Sequence, residues 1–157
     1  ALRIQRPTEL DLVARCITRV DLALHASPSY LDRRGLPTTP ASFVDHDVVA
    51  FMQGPGGEGE NAWLAANCPG ACVVLRTNSV AMVIEAVREG LGLGLAPRRI
   101  GVRDPRVVRL ETPNPPAPRE VWLAYHRDIE PSPRVRAVID FLAESLARPA
   151  FVVPSLG

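Results

Sequence analysis

With 157 residues the chain is long enough for one domain or two small lobes, and a hydrophobic share of 46% favours a packed core over global disorder. The net charge is +1 and all 18 basic residues are scattered arginines, so the electrostatic footprint of a nucleic-acid-binding surface is missing. No apolar run reaches membrane-spanning length, no signal peptide opens the chain, and three cysteines do not make a secreted disulfide framework, which together point to the cytoplasm.

The opening "ALRI" starts as if inside a strand. Val20 to Ser27 reads as a strand of small and branched apolar residues. "SPSYLDRRG" then reads as a short helix, with Ser27 as cap, Pro28 in its first position and Gly35 as its stop. "TTPASFVDHDVVAF" repeats that plan with a cap near Thr39, a turn of helix and a strand from Val48 to Phe51. Gln53 to Glu60 carries four glycines in eight residues and reads as a flexible tip between strands. "NAWLAA" and "CVVLRT" are expected as the next strands. Ser79 to Glu89 has helical spacing, with Val80, Val83, Ile84 and Val87 on one face, a cap at Asn78 or Ser79 and Gly90 just past its end. "RVVRLE" and "EVWLAYHRD" predict two more strands, separated by a stiff proline-rich connection. The last helix runs through "SPRVRAVIDFLAESLAR", capped by Ser132, opened by Pro133 and striped by Val135, Val138, Ile139, Leu142 and Leu146. The tail "PAFVVPSLG" is broken by prolines. Strands alternating with helices give an α/β fold.

Three local patterns bear on chemistry. Gly90, Gly92 and Gly94 look like a nucleotide loop, but they follow a helix and enter a strand, the reverse of the strand–glycine–helix order that brings a phosphate to a helix N-terminus. They predict instead a buried strand ending at Pro97, whose small residues let a neighbour approach closely. Cys68 and Cys72 form a C-x3-C pair without matching ligands, so two reduced, partly buried thiols are expected, with no metal and no cofactor. Asp45-His46-Asp47 is the one dense acid–histidine cluster, best read as capping and surface hydrogen bonding. No nucleophile–base motif is present, and an enzyme is not expected.

Three blocks carry a family resemblance: "LALHASPSYLDRRGLPTTPASFVDHDVVAF", "TNSVAMVIEAVREGLGLGLAP" and "VWLAYHRDIEPSPRVRAVIDFLAE". In this order and spacing they resemble the effector (substrate)-binding domain of LysR-type transcriptional regulators, and "ALRIQRPTELDLVAR" resembles the end of its first lobe. The resemblance implies a two-lobe, periplasmic-binding-protein-like (type II) α/β domain. Residues 1–25 plus 121–157 would form a partial lobe one, and 26–120 a complete lobe two. The winged helix-turn-helix and the first half of lobe one have no counterpart in the chain, which would make it a fragment of a longer regulator. Its half-built lobe would then leave apolar surface for self-association.

The same resemblance implies a small anionic or polar effector between the lobes, bound at helix N-termini. Thr77, Asn78 and Ser79 are the leading candidates, although capping alone explains each. Pro97 at its strand end, Ala26 and Ser27 at the first crossing, His126 at the second and Arg3 after the first strand complete the set. Binding would shift the geometry of a homodimer or homotetramer, and so the DNA-binding domain absent from this chain. Met82 is assigned either to a subunit interface or to the core. The alternative is a stand-alone solute-binding protein of the same fold, with no membrane segment in either case.

Overall fold

The computed structural model describes residues 1–4, 6–38, 40–54, 56–100, 104–127 and 133–147. In chain order the elements are β1 (Leu2–Arg3), β2 (Leu12–Val20), β3 (Leu22–Ala26), α1 (Pro28–Arg34), a 3₁₀ helix (Pro40–Asp45), β4 (Asp47–Phe51), α2 (Glu58–Asn67), β5 (Cys72–Thr77), α3 (Val80–Arg88), β6 (Leu93–Pro97), β7 (Val108–Leu110), β8 (Arg119–His126) and α4 (Pro133–Ala147). They divide into two compact units, 1–20 with 119 onward, and 21–118. The chain passes between them at Val20–Asp21 and at Pro118–Arg119, where the sequence placed its boundaries at 25/26 and 120/121.

The first unit is an antiparallel sheet in the order β1-β8-β2, with α4 packed on β2. β2 was not anticipated. Its register shifts between Cys16 and Thr18, and the irregularity breaks the alternation by which a strand is recognised. On α4, Val135, Ile139 and Leu142 are half-buried. Val138 leaves the expected stripe and is exposed, as is Phe141 at 65%. The Ser132 cap, the Leu146 side chain and the proline-broken tail lie outside the described residues, as does the Thr39 cap.

The second unit is a five-stranded sheet in the order β5-β4-β6-β3-β7. β4 runs parallel to β5 and β6, whereas β3 is antiparallel to β6 and β7. Strand alternation divides the core between the two faces. Leu24, Val48, Ala50, Leu93 and Leu95 join Tyr30 from α1 and Leu64 from α2 on one face. Val49 and Phe51 meet Val83 and Val87 of α3 on the other. Each of those valines is essentially inaccessible, so its burial contributes about 1.5–3 kcal/mol.

The caps follow the sequence closely. Ser27 Oγ accepts the Tyr30 N–H at 3.2 Å and starts α1 behind Pro28. Ser79 Oγ accepts the Met82 N–H at 3.4 Å and starts α3, and Gly90 past its end has φ 72°, in the left-handed region. Gly94 has the predicted packing role: a Cβ there would stand 2.8 Å from both Val83 Cγ1 and Val87 Cγ2. One expected element is wrong. "NAWLAA" belongs to α2, not to a strand, and the glycine tip leads into that helix. Six small and apolar residues carry no decisive period, and the helix start is concealed among glycines.

Candidate functional site

Both helices that follow the parallel strands begin at the same end of the sheet. β4 leads through α2 to β5 on one side, and β5 leads through α3 to β6 on the other, with the two helices on opposite faces. The carboxyl ends of the neighbouring strands β4 and β5 therefore form a switch point, where open α/β sheets place ligands. The Met52 N–H donates to the Thr77 carbonyl at 3.0 Å and joins the two strand ends.

Thr77 and Ser79 are half-buried there, and Asn78 is exposed between them. Thr77 Oγ1 accepts the Ser79 N–H at 3.1 Å, so both hydroxyls of this turn serve the backbone. α3 thus has its first turn partly satisfied from within. At the start of α2, Gly57 stands at the cap position without a side-chain bond. A Cβ at Gly57 would fall 2.3 Å from Phe51 Cβ, so only glycine lets the loop close back over the strand end. Glu58 and Glu60 in the first turn complement the helix dipole. Asn61 fastens the same point, accepting the Phe51 N–H and donating to the Phe51 carbonyl, both at 3.0 Å. Arg76 Nη1 donates to that carbonyl at 3.1 Å and brings a cation to the edge.

Phe51, Gly57, Asn61 and Arg76 were not singled out from the sequence. The available signal was the order strand, glycine turn, helix in "AFMQGPGGEGE", the arrangement that the Gly90–Gly94 run lacks.

Pro97 lies at this end too. It is opposite Leu22, and the Arg98 N–H donates to the Asp21 carbonyl at 2.8 Å. Ala26 and Ser27 do not join the group. β3 enters the sheet at Leu22 and runs antiparallel to β6, so Ala26 and Ser27 emerge at the opposite end, both fully buried. Five residues of strand span about 16 Å.

His126 belongs to the other unit. Val20 pairs with Arg119 where the chain passes between the units, and Leu12 pairs with His126 at the other end of that ladder. Its Nε2 stands 3.0 Å from Asp11 Oδ2. Arg3 is opposite Trp122, and its Nη1 pairs with Glu9 at 2.5 Å, which lowers the Glu9 pKa.

His46 is buried, not on the surface as expected. Its Nδ1 stands 3.1 Å from the Tyr30 hydroxyl, which accepts the Asp47 N–H at 2.7 Å. Burial first, and the nearby Arg34 second, lower its pKa. Cys68 is in the core, where burial raises its thiol pKa to about 12, while Cys72 is exposed at the start of β5. Among the described residues no cluster of three or more His, Cys, Asp or Glu could hold a metal ion, and no helix is long and apolar enough to cross a membrane.

The family model described as the LysR substrate binding domain matches residues 1–147. The regulatory domain of CrgA, a LysR-type transcriptional regulator from Neisseria meningitidis, is similar at 20% identity and a TM-score of 0.75, over 93% of this chain and 74% of that one. Full-length AphB, the Vibrio cholerae virulence activator, is similar at 22% identity and 0.70, over 92% of this chain and 51% of its own. The effector domain of AmpR from Pseudomonas aeruginosa is similar at 17% and 0.65, over 87% and 66%. The chain thus spans about half of full-length AphB. A search of curated proteins gave no match. At these identities the solved structures speak for the fold.

Proposed function

The chain belongs to the LysR substrate-binding-domain family, with its type II periplasmic-binding-protein-like fold, and on that premise we propose that the carboxyl end of its parallel strands is where it senses a small effector. The reading makes 21–118 the second lobe and the rest a partial first lobe. The observation that carries it is the convergence of two helix starts at Phe51–Gly57 and Thr77–Ser79, one of them without a side-chain cap. The α3 dipole and Arg76 favour an anionic or strongly polar ligand, while Glu58 and Glu60 offset the dipole of α2. Thr77, Asn78, Ser79 and Pro97 keep their assignment as effector contacts. Ala26 and Ser27 lie at the other end of this sheet and fall outside this reading, while Arg3 and His126, in the other unit, remain candidate contacts.

Effector binding would be read out in the cytoplasm through a homodimer or homotetramer and a DNA-binding domain outside this chain. Met82, 52% exposed on α3, belongs to subunit surface rather than to the core, as do Val73 and Val74 on the edge strand β5.

The test is thermal-shift and calorimetric titration of the chain with a panel of small carboxylates and phosphates, against Asn78→Asp. The variant adds a negative charge at the helix start without removing a cap. An anion that stabilises the wild type and fails on Asn78→Asp supports the site. Equal binding to both places the effector elsewhere.

A further inference from the structure

His25 is the most deeply buried titratable side chain outside this site. It sits in β3 at 0% exposure, and among the described residues neither ring nitrogen makes a well-formed hydrogen bond, although the backbone of Ala23 and of Arg98 acts on the ring. A buried polar group without a partner costs about 1–3 kcal/mol, and a buried unpaired charge costs more. Its cross-strand neighbours differ. On one side is Gly94 of β6, a strand held between β3 and β4 and pressed upon by Val83 and Val87. On the other is Arg109 of β7, a three-residue edge strand paired only with β3. The backbone of Ala23 and Arg98 favours a charged ring, while Arg109 opposes it, and no acidic group is among its electrostatic partners. From α3, apolar Val83 and Val87 stand over Gly94, the residue opposite His25.

We propose that His25 is an acid trigger for β7: a proton on its ring makes a fully buried imidazolium beside Arg109, and the edge strand opens to let water reach it. Of the two neighbours β7 must give way. It has one partner strand and three residues, whereas opening β6 would break the whole sheet. Short edge elements occupy the low end of local stability. Burial, with Arg109 adding to it, lowers the His25 pKa, so the closed ring takes a proton less readily than the open one. With an ordinary histidine pKa of about 6.5 in the open state, the opening equilibrium rises by up to about tenfold between pH 7.5 and 5.5.

Hydrogen exchange of the full chain at the two pH values, corrected for the intrinsic rate, tests this by peptide. The expected result is faster exchange in 104–111 at pH 5.5, by up to about tenfold, with 93–97 unchanged. The increase should vanish in His25→Phe and shrink in Arg109→Gln, which relieves the repulsion and keeps His25. If His25→Phe does not fold, Arg109→Gln decides alone. An increase of equal size in 93–97, an acid response that persists in His25→Phe, an undiminished response in Arg109→Gln, or no response in the wild type would each overturn the proposal.

Discussion

The Tyr30 hydroxyl and His46 Nδ1 share a buried hydrogen bond of 3.1 Å, and a third group joins them. The hydroxyl oxygen accepts the Asp47 N–H at 2.7 Å, so one tyrosine oxygen ties His46 to the start of β4. Tyr30→Phe keeps the ring, which is 1% exposed, and strips two buried groups of their partner. Stability should fall by about 2–4 kcal/mol, from the usual cost of leaving such groups unmatched. Urea unfolding should show a lower midpoint at unchanged m-value; an unchanged midpoint would mean that water replaces the hydroxyl.

The same bond gives a sign for pH dependence. His46 has a lowered pKa in the fold, from burial and then Arg34. The unfolded chain therefore binds more protons below about pH 6.5, and stability falls as pH drops through that value. The loss levels off once the folded-state pKa is passed. His46→Gln should start less stable at pH 7.5 and lose less on going to pH 5.5, in unfolding curves taken at both.

Gly94→Ala should be costly although the change is one methyl group. The added carbon meets two valines of α3 at 2.8 Å, and neither is a flexible end. Overpacking of this kind costs about 1–3 kcal/mol. Calorimetry should show a lower Tm, and Val83→Ala in the same chain should recover part of it.

Gly57→Ala should act at the candidate site as well as on Phe51 at the edge of the core. A Cβ 2.3 Å from Phe51 Cβ forces the 52–57 loop away from the strand end. Binding of any anion found in the titrations should weaken at least tenfold, while α3 and its Ser79 cap stay intact by NMR. Unchanged affinity would remove the α2 start from the site.

The two cysteines of the C-x3-C pair should react at very different rates. Cys72 is exposed, while Cys68 is in the core with a thiol pKa of about 12. Thiolate fraction and access both favour Cys72. Maleimide at pH 7.5 should label Cys72 first, and Cys68 only on unfolding. Equal labelling would show that the end of α2 opens readily.

The parts of the fold legible in sequence are those where one residue type does one job. Ser27 before Pro28, Ser79 before a helical stripe and Gly90 after it mark helix ends by local chemistry. Where local signals cancel, reading fails. The shift at Cys16–Thr18 breaks the pattern of β2, and Gly57 starts α2 without a cap residue to announce it. The site was half legible. Thr77–Ser79 and Pro97 stand at one sheet end because parallel strands must finish together. Ala26 and His126 were assigned by the strand they occupy, but their place depends on which end of it they hold, and that is fixed only by pairing with β6 and β2.

One pairing also bears on how the molecule assembles during folding. Val20 lies opposite Arg119, so β2 and β8 form a hairpin whose loop is the whole segment Asp21–Pro118. For an unfolded loop of that length, closure costs chain entropy before a single rung of the ladder forms. Once the segment has folded, its two ends are delivered side by side and the hairpin closes as a local event. The segment 21–118 is therefore expected to fold before the β2–β8 ladder closes, an order that pulsed hydrogen exchange during refolding would read.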